Sequence, residues 1–195
     1  MRAEHRLQGG AALVVALVML VLLTLIAAMG ARIALTDEKG ARATRERQLA
    51  FEGAEAALRD AEDELLSGAR AARFEGGAAT GFAAGCPTVD LPSAGERALS
   101  VRGLCLPAPE GDLPVWRTVD LASRGVPYGT FTGERWPGPS APPRYVIEVL
   151  PDYVAGAAVG GSARPQQASV LYRITAESGS ASGQHVAAVQ SAFRR

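Results

Sequence analysis

The sequence predicts an α+β protein: a long N-terminal α-helix, its first half in a membrane, packed on a small antiparallel β-sheet head domain. Three features of the 195 residues support this fold class. The run Ala11–Ala31 contains no charged residue, a charged helical pattern follows it without a proline, and all twelve prolines lie at or after Pro87. Because proline interrupts helices and central strands, the first third of the chain can be one continuous helix, whereas loops and strands make up the remainder.

The apolar run Ala11–Ala31 has the length of a membrane span. At a rise of about 1.5 Å per residue, such a helix measures roughly 30 Å, the thickness of the hydrocarbon core of a bilayer. A secretory signal peptide with Ala27-Ala28-Met29 as its cleavage site is the alternative, but its apolar region usually has only about 7–15 residues. A cut before the run, at Gly10, would instead leave the apolar helix on the mature chain.

The residues after the span, 32–67, are predicted to form the amphipathic second half of the helix. Phe51, Leu58 and Leu65 recur every seven residues with alanines beside them, which is typical of a helix with one apolar stripe. That stripe requires a packing partner, and Gly68 marks the predicted end of the helix. The acidic residues near this end are interpreted as a solvated helix face rather than a metal site: Asp60, Glu62, Asp63 and Glu64.

The head, residues 68–195, contains both cysteines of the chain, Cys86 and Cys105. In an oxidising compartment such a pair most often forms a disulfide, and closing this loop would stabilise a small domain by about 3 kcal/mol on the chain-entropy model. A catalytic pairing of a cysteine with His185 is the competing interpretation. No companion acid or oxyanion motif supports it.

The connection Ala69–Gly85 is rich in Ala and Gly, and its Phe74 and Phe82 are candidate anchors onto the helix. Further along, residues 125–143 contain five prolines together with Tyr, Phe and Trp side chains. Such a segment cannot pair continuously in a sheet, so it forms either a loop packed by its aromatic side chains or an exposed binding surface. Packing is the favoured interpretation.

Three strands in series are predicted for the C-terminal part of the head. They are Arg144–Leu150, Ser169–Ala176 and Val186–Phe193, and they are separated by a Gly- and Ala-rich loop, 155–164, and a short turn, 178–183. The short connection between the last two strands favours an antiparallel meander. Its apolar face would lie on the stripe of the long helix.

Composition excludes several classes of function. Twenty basic and twenty acidic residues cancel, which argues against a nucleic-acid-binding stripe. The chain also lacks a phosphate-binding Gly-Lys-Ser/Thr loop, an HExxH motif, spaced Cys or His sets and an EF-hand pattern. We therefore expect no enzymatic activity, no cofactor and no metal site.

Three segments of the first third of the chain resemble one family. Residues 10–17, the motif Asp37-Glu38-Lys39 and above all residues 45–62, with their LAFEGAEAALRDAE run, are similar to the N-terminal region of the PilX family of minor pilins. The Gly103-Leu104-Cys105 motif, with Pro107 and Val115-Trp116 after it, also occurs in that family. The resemblance implies a pilin-like fold and a non-enzymatic structural role in the type IV pilus assembly machinery.

The resemblance also implies a division of the chain. Residues 1–10 would be a prepilin-type leader, 11–31 the transmembrane half of the helix, 32–67 its periplasmic half, and 68–195 the globular head. A prepilin peptidase would cut between Gly10 and Ala11. The protein would cross the inner membrane once, with its N-terminus in the cytoplasm and its head in the periplasm, and later enter the extracellular pilus.

Partners and position in the pilus follow from the same resemblance. Other minor pilins and a PilY-type tip adhesin are the expected partners. Most pilins carry an acidic residue five positions after the cut, whereas this chain has Val15 there, which predicts a priming role at or near the filament tip. The alternatives are a minor pseudopilin of a type II secretion system and a permanently membrane-anchored periplasmic binding protein.

Overall fold

The computed structural model describes residues 9–77, 81–88, 100–150 and 170–194. The chain forms two compact units, one up to Arg45 and the other from Glu46 onward. Parts of four expected segments and the whole of a fifth lie outside the described residues. The parts are residues 1–8 of the leader, residues 78–80 of the connection, residues 89–99 between the two cysteines, and Ser169 at the start of the second predicted strand. The whole segment is the Gly- and Ala-rich loop 155–164.

The described residues contain a long helix, five short elements that precede the main strands, and three main strands. In chain order they are helix α1 (Gly9–Ser67), a 3-10 helix (Ala71–Gly77), β1 (Leu104–Cys105), α2 (Val115–Thr118), α3 (Leu121–Arg124), β2 (Val126–Pro127), β3 (Arg144–Leu150), β4 (Leu171–Gly179) and β5 (Val186–Arg194).

The second unit takes its core from the C-terminal part of α1. Leu58 and Leu65 are buried, together with four alanines at helical spacing: Ala50, Ala54, Ala57 and Ala61. Small side chains let the helix lie close to the sheet, and at Gly53 an added Cβ would be only 2.3 Å from Ser178 Oγ. The prediction that Phe51 lies in the buried stripe is wrong, because its side chain is 51% exposed. Phe51 lies seven residues before Leu58, and this spacing places it beyond the edge of the row of buried alanines.

The sheet confirms the predicted meander and adds two strands to it. β3, β4 and β5 pair antiparallel in that order, and β2 pairs antiparallel with β3. The expectation of an entirely antiparallel sheet is wrong, because β1 pairs parallel to β3, with Leu104 opposite Ile147. The fold class is therefore α+β, as predicted, with a small mixed sheet.

The predicted bounds of the strands differ from the observed ones mainly at β4. β3 begins and ends where the sequence predicts, whereas β4 continues to Gly179. The turn that was predicted to begin at Ser178 therefore begins later, after Gly179. Ser178 lies on the buried face of β4, and the Ser180 amide donates to His185 O at 2.8 Å to close the hairpin two residues later.

Aromatic side chains fill the core between α1 and the sheet. Phe74 and Phe82, the expected anchors, are both buried, and each ring contacts Tyr172, at centroid separations of 5.7 and 6.0 Å. A second, smaller cluster contains the disulfide and side chains from β3 and the two short helices: Cys86, Cys105, Val115, Leu121 and Val146.

Candidate functional site

The N-terminal part of α1 exposes an apolar surface. Within the first unit, Leu13 is 70%, Leu23 66% and Ile26 66% exposed. The helix is long and apolar enough to cross a membrane. Its hydroxyl at Thr24 donates to Val21 O at 2.8 Å, so this polar group is satisfied inside the helix.

Position 15 lies in this apolar surface. Val15 is 59% exposed and brings neither a charge nor a hydrogen-bonding group to it. Gly10 and Ala11, the expected cleavage site, lie within the first turn of α1, which begins at Gly9. These three positions are the candidate residues for processing and for packing against other helices.

A buried ion pair joins the end of α1 to the head. Arg70 Nε donates to Glu64 Oε1, and both side chains are completely buried. The Tyr145 hydroxyl, from β3, donates to Glu64 Oε2. Glu64 is thus bound from two sides by residues that follow it in the chain by 6 and 81 positions.

Arg70 is the centre of this junction. Its Nη1 donates to Arg102 O at 2.8 Å and to Ser100 O at 3.3 Å, next to β1. Its guanidinium lies 3.7 Å from the centroid of the Phe131 ring, a cation–π contact with the proline-rich segment. One cation therefore contacts α1, the segment before β1, and the 125–143 loop.

Burial affects the ionisation of the junction. Desolvation raises the pKa of Glu64, an effect that the Arg70 guanidinium opposes. The pKa of the Tyr145 hydroxyl lies well above its ordinary value because the group is buried beside Glu64. Tyr145 therefore remains a proton donor to the carboxylate throughout the physiological pH range.

A second carboxylate on α1 holds the 125–143 loop. Asp60 Oδ2 accepts from the Gly129 amide at 2.8 Å, and Asp60 Oδ1 accepts from the Thr132 hydroxyl. Burial raises the pKa of Asp60, while both hydrogen bonds oppose the change. The loop is thus packed onto the helix, as the favoured interpretation of residues 125–143 predicts, and the Tyr128 and Trp136 rings meet edge to face at 5.5 Å.

The interpretation of the acidic run as a solvated face is therefore wrong for two of its members. Asp60 and Glu64 are 3% and 0% exposed, and Glu62 is half-buried where it accepts from Ser191 Oγ at 3.0 Å. Only Asp63 is exposed. The burial of Asp60 and Glu64 could have been predicted from their spacing. Positions 57, 60, 61, 64 and 65 follow the helical i, i+3, i+4 pattern of one buried face.

The two cysteines form a disulfide, with a Cα–Cα distance of 4.4 Å. The Arg124 guanidinium donates to Gly85 O and Cys86 O, so these hydrogen bonds connect the short helix α3 to the disulfide. The structure does not bring His185 to the cysteines. His185 lies beside β5, at the opposite edge of the sheet from β1, with its Nε2 3.9 Å from Glu46 Oε2.

The described residues of the second unit line at least two clefts. The larger, of about 580 Å³, lies beside the disulfide and is lined by Leu106, Pro107, Leu113 and Val119. The smaller, of about 250 Å³, lies between Leu49 and Trp136. Among the described residues, no group of three or more His, Cys, Asp or Glu could hold a metal ion.

Comparison with known proteins identifies the family. The PilX N-terminal family model matches residues 8–59, and the model of the type IV pilus assembly protein PilX C-terminal region matches residues 101–195. Neither a curated protein nor a solved structure matches the chain. The two matched ranges cover most of the chain and include Tyr145 and strands β3 to β5, whereas Glu64 and Arg70 lie between them. PilX is a structural pilin family. The chain belongs to the PilX family of type IV pilus assembly proteins.

Proposed function

We propose that this minor pilin primes assembly of the pilus and lies at or next to the filament tip. The observation that carries the proposal is Val15, an apolar residue at the fifth position after the expected cut at Gly10. In most pilins that position is acidic and neutralises the N-terminal ammonium of a neighbouring subunit. If the cut falls after Gly9 instead, the fifth residue is Val14, so the absence of an acid does not depend on the exact site.

The physical argument concerns a charge in an apolar environment. An unpaired ammonium among packed apolar helices costs several kcal/mol, so each subunit depends on a carboxylate supplied by its neighbour. A subunit without the carboxylate cannot neutralise a subunit above it. The first subunit of a filament has none above it, and so position at the tip is compatible with Val15.

The anchor is the second part of the proposal. The chain is made with a leader, which prepilin peptidase removes between Gly10 and Ala11, and the exposed apolar helix holds the protein in the inner membrane with its head in the periplasm. Other minor pilins and a PilY-type tip adhesin are its proposed partners. The family matches favour a pilus over a type II secretion system.

Counting and locating the protein in sheared filaments tests the tip position. We expect about one copy per filament, with an epitope label at filament ends in electron micrographs. A label dispersed along the shaft, at many copies per filament, would reject it. Mass analysis of the mature N-terminus tests the processing separately: Ala11 as the first residue is expected, whereas a first residue near position 30 or an intact leader contradicts it.

A further inference from the structure

The smaller cleft of the second unit, of about 250 Å³, lies where helix α1, the 125–143 loop and the β4–β5 hairpin meet. Each of these elements contributes to its lining, which includes Leu49, Glu52, Trp136, Gly179 and Ala181. Small-molecule sites usually have a volume of roughly 300–1,000 Å³. The cleft therefore fits one long side chain better than a cofactor or a drug-sized ligand.

The Trp136 indole forms a fixed wall of this cleft. Its Nε1 donates to Ser140 O at 3.1 Å, and the Tyr128 ring meets it edge to face. Two glycines let the backbone approach the ring: a Cβ on Gly53 would lie 3.4 Å from its Cη2, and a Cβ on Gly138 would lie 2.2 Å from its Cζ2. Binding in the cleft therefore does not have to order the indole, which lowers its entropic cost.

Glu52 is the one charged residue in the described lining of the cleft. Its Oε1 accepts from Gln48 Nε2 at 3.1 Å, and within the described part of the chain Glu52 makes no other hydrogen bond and no ion pair. The helix positions that could pair with it, three and four residues away on either side, hold no cation: Gln48, Leu49, Glu55 and Ala56. Glu52 Oε2 can therefore accept from a donor that enters the cleft.

Further carboxylates lie around the aromatic pair at the cleft. Burial is the main cause of the raised pKa of the Tyr128 hydroxyl, and the charges of Asp60, Glu134 and Asp63 raise it further. Because Tyr128 contacts Trp136, these charges and Glu52 together give this side of the head a negative field. The field favours a cation in the cleft and disfavours an acidic side chain.

A wholly apolar side chain does not fit the cleft either. It would remove water from the Glu52 carboxylate without supplying a hydrogen bond in return, and desolvating an unpaired charge is costly. Lysine and arginine combine an aliphatic stem with a cationic head group. The apolar walls and the single carboxylate match both parts of such a side chain.

We propose that this cleft binds one lysine or arginine side chain of another pilus assembly subunit. The aliphatic stem packs between Leu49 and the Trp136 indole, and the cationic head group donates to Glu52 Oε2. The proposal rests on the part of the proposed function in which the chain acts with other pilus components. It does not require that the chain lies at the tip.

Photo-crosslinking of the full-length protein in cells with a complete pilus machinery tests the proposal. The photoreactive residue p-benzoylphenylalanine replaces Pro137 or Ala181, which are exposed residues of the cleft lining, and mass spectrometry identifies the attached peptides. We expect both positions to react with one segment of one other subunit, and that segment to contain a lysine or arginine. No crosslink, attachment to a segment without a basic residue, or attachment to this chain itself overturns the proposal.

Substitution of Glu52 tests the charge. Glu52→Gln keeps the size and the acceptor for Gln48, so we expect an unchanged Tm and a crosslink yield from position 137 that falls about tenfold. Glu55→Gln, on the same helix but outside the described lining of the cleft, is the matched control and should leave the yield unchanged. If Glu52→Gln lowers the Tm, Ala181→Trp, which fills the cleft from the hairpin, takes its place. Equal yields for the cleft variant and the control contradict the proposal.

A charge exchange tests the pairing directly. Changing the crosslinked basic residue of the partner to glutamate should reduce the yield as Glu52→Gln does, and adding Glu52→Lys should restore it. A double variant that stays at the level of the single variants contradicts the pairing. The copy number in sheared filaments is measured in the same cells, so that a normal count at filament ends without the crosslink rejects the cleft alone, whereas a crosslink with dispersed labelling rejects the tip alone.

Discussion

The Tyr145 hydroxyl donates a hydrogen bond to Glu64 Oε2 in the core of the head, and so strand β3 holds the last turns of helix α1. Both side chains are fully buried. Arg70 binds the other carboxylate oxygen. A buried carboxylate is costly unless its oxygens accept hydrogen bonds, so Glu64 depends on both donors, Arg70 and Tyr145.

The first prediction follows from that dependence. Tyr145→Phe removes the hydroxyl but keeps the ring, which leaves Glu64 Oε2 buried without this donor, and we expect a loss of about 1–3 kcal/mol in the free energy of unfolding. Denaturant unfolding of the full chain in detergent micelles measures it. Tyr128→Phe, at a half-buried ring, is the matched control and should change stability by less than about 0.5 kcal/mol. Equal effects of the two variants would contradict the role given to Glu64.

The second prediction concerns pH. A carboxyl group whose folded pKa lies above its unfolded pKa binds its proton more tightly in the folded protein, so stability decreases as pH rises between the unfolded and folded values. Burial raises the pKa of Asp60, with Asp63 and Glu134 adding to the effect. We therefore expect Asp60→Asn to flatten the dependence of Tm on pH from about 4 upward.

The control for this prediction is Asp63→Asn, because Asp63 is exposed on the same helix. It should change the pH profile much less than Asp60→Asn does. A parallel profile for Asp60→Asn and the original chain from pH 4 to 7 would be inconsistent with a raised pKa at Asp60.

The third prediction concerns the turn that Asp60 binds. Gly129 has a φ of +74°, and a Cβ built on it would lie 1.8 Å from Glu134 O, so Gly129→Ala must move the turn away from Asp60. Gly133 has a φ of +85° but nothing within 4 Å of its Cβ position, so Gly133→Ala carries only the backbone cost of about 1–2 kcal/mol for an L-residue in the left-handed region. Thermal unfolding should show a clearly larger loss for Gly129→Ala. The reverse order would argue against the described turn.

The fourth prediction concerns the disulfide. Cys86 and Cys105 are 19 residues apart, and a loop of this size restrains the unfolded chain by about 3 kcal/mol on the chain-entropy model. The double Cys86→Ser, Cys105→Ser variant should lose stability of that order. Alkylation of the unreduced protein, followed by mass analysis, should find neither thiol modified. Readily alkylated thiols would contradict the prediction.

Local patterns in the sequence predict the elements of this fold better than they predict its junctions. The seven-residue spacing of Leu58 and Leu65 and the bounds of β3 are local features, and the structure agrees with them. β1 has only two residues and no periodicity, so its parallel pairing with β3 had no local signal.

The candidate site was missed in part for the same reason. A carboxylate on a helix is usually exposed, and apart from Arg70, 6 positions after Glu64, the donors that bind Asp60 and Glu64 lie 69 to 81 residues further along the chain, at Gly129, Thr132 and Tyr145. No local rule connects positions so far apart. The apolar character of Val15, by contrast, can be read from the sequence alone.

The last prediction restores the missing acid. If Val15 keeps this subunit at the tip because it cannot neutralise an ammonium above it, then Val15→Glu should let this subunit be added below an existing one in the ordinary way. We expect the number of copies per sheared filament to rise several-fold and the label to spread from the ends into the shaft. Val15→Gln, similar in size but uncharged, is the matched control and should leave the copy number unchanged, because an amide does not neutralise a cation. An unchanged copy number for Val15→Glu, in a protein that is processed and stable, would mean that something other than the missing carboxylate limits its incorporation.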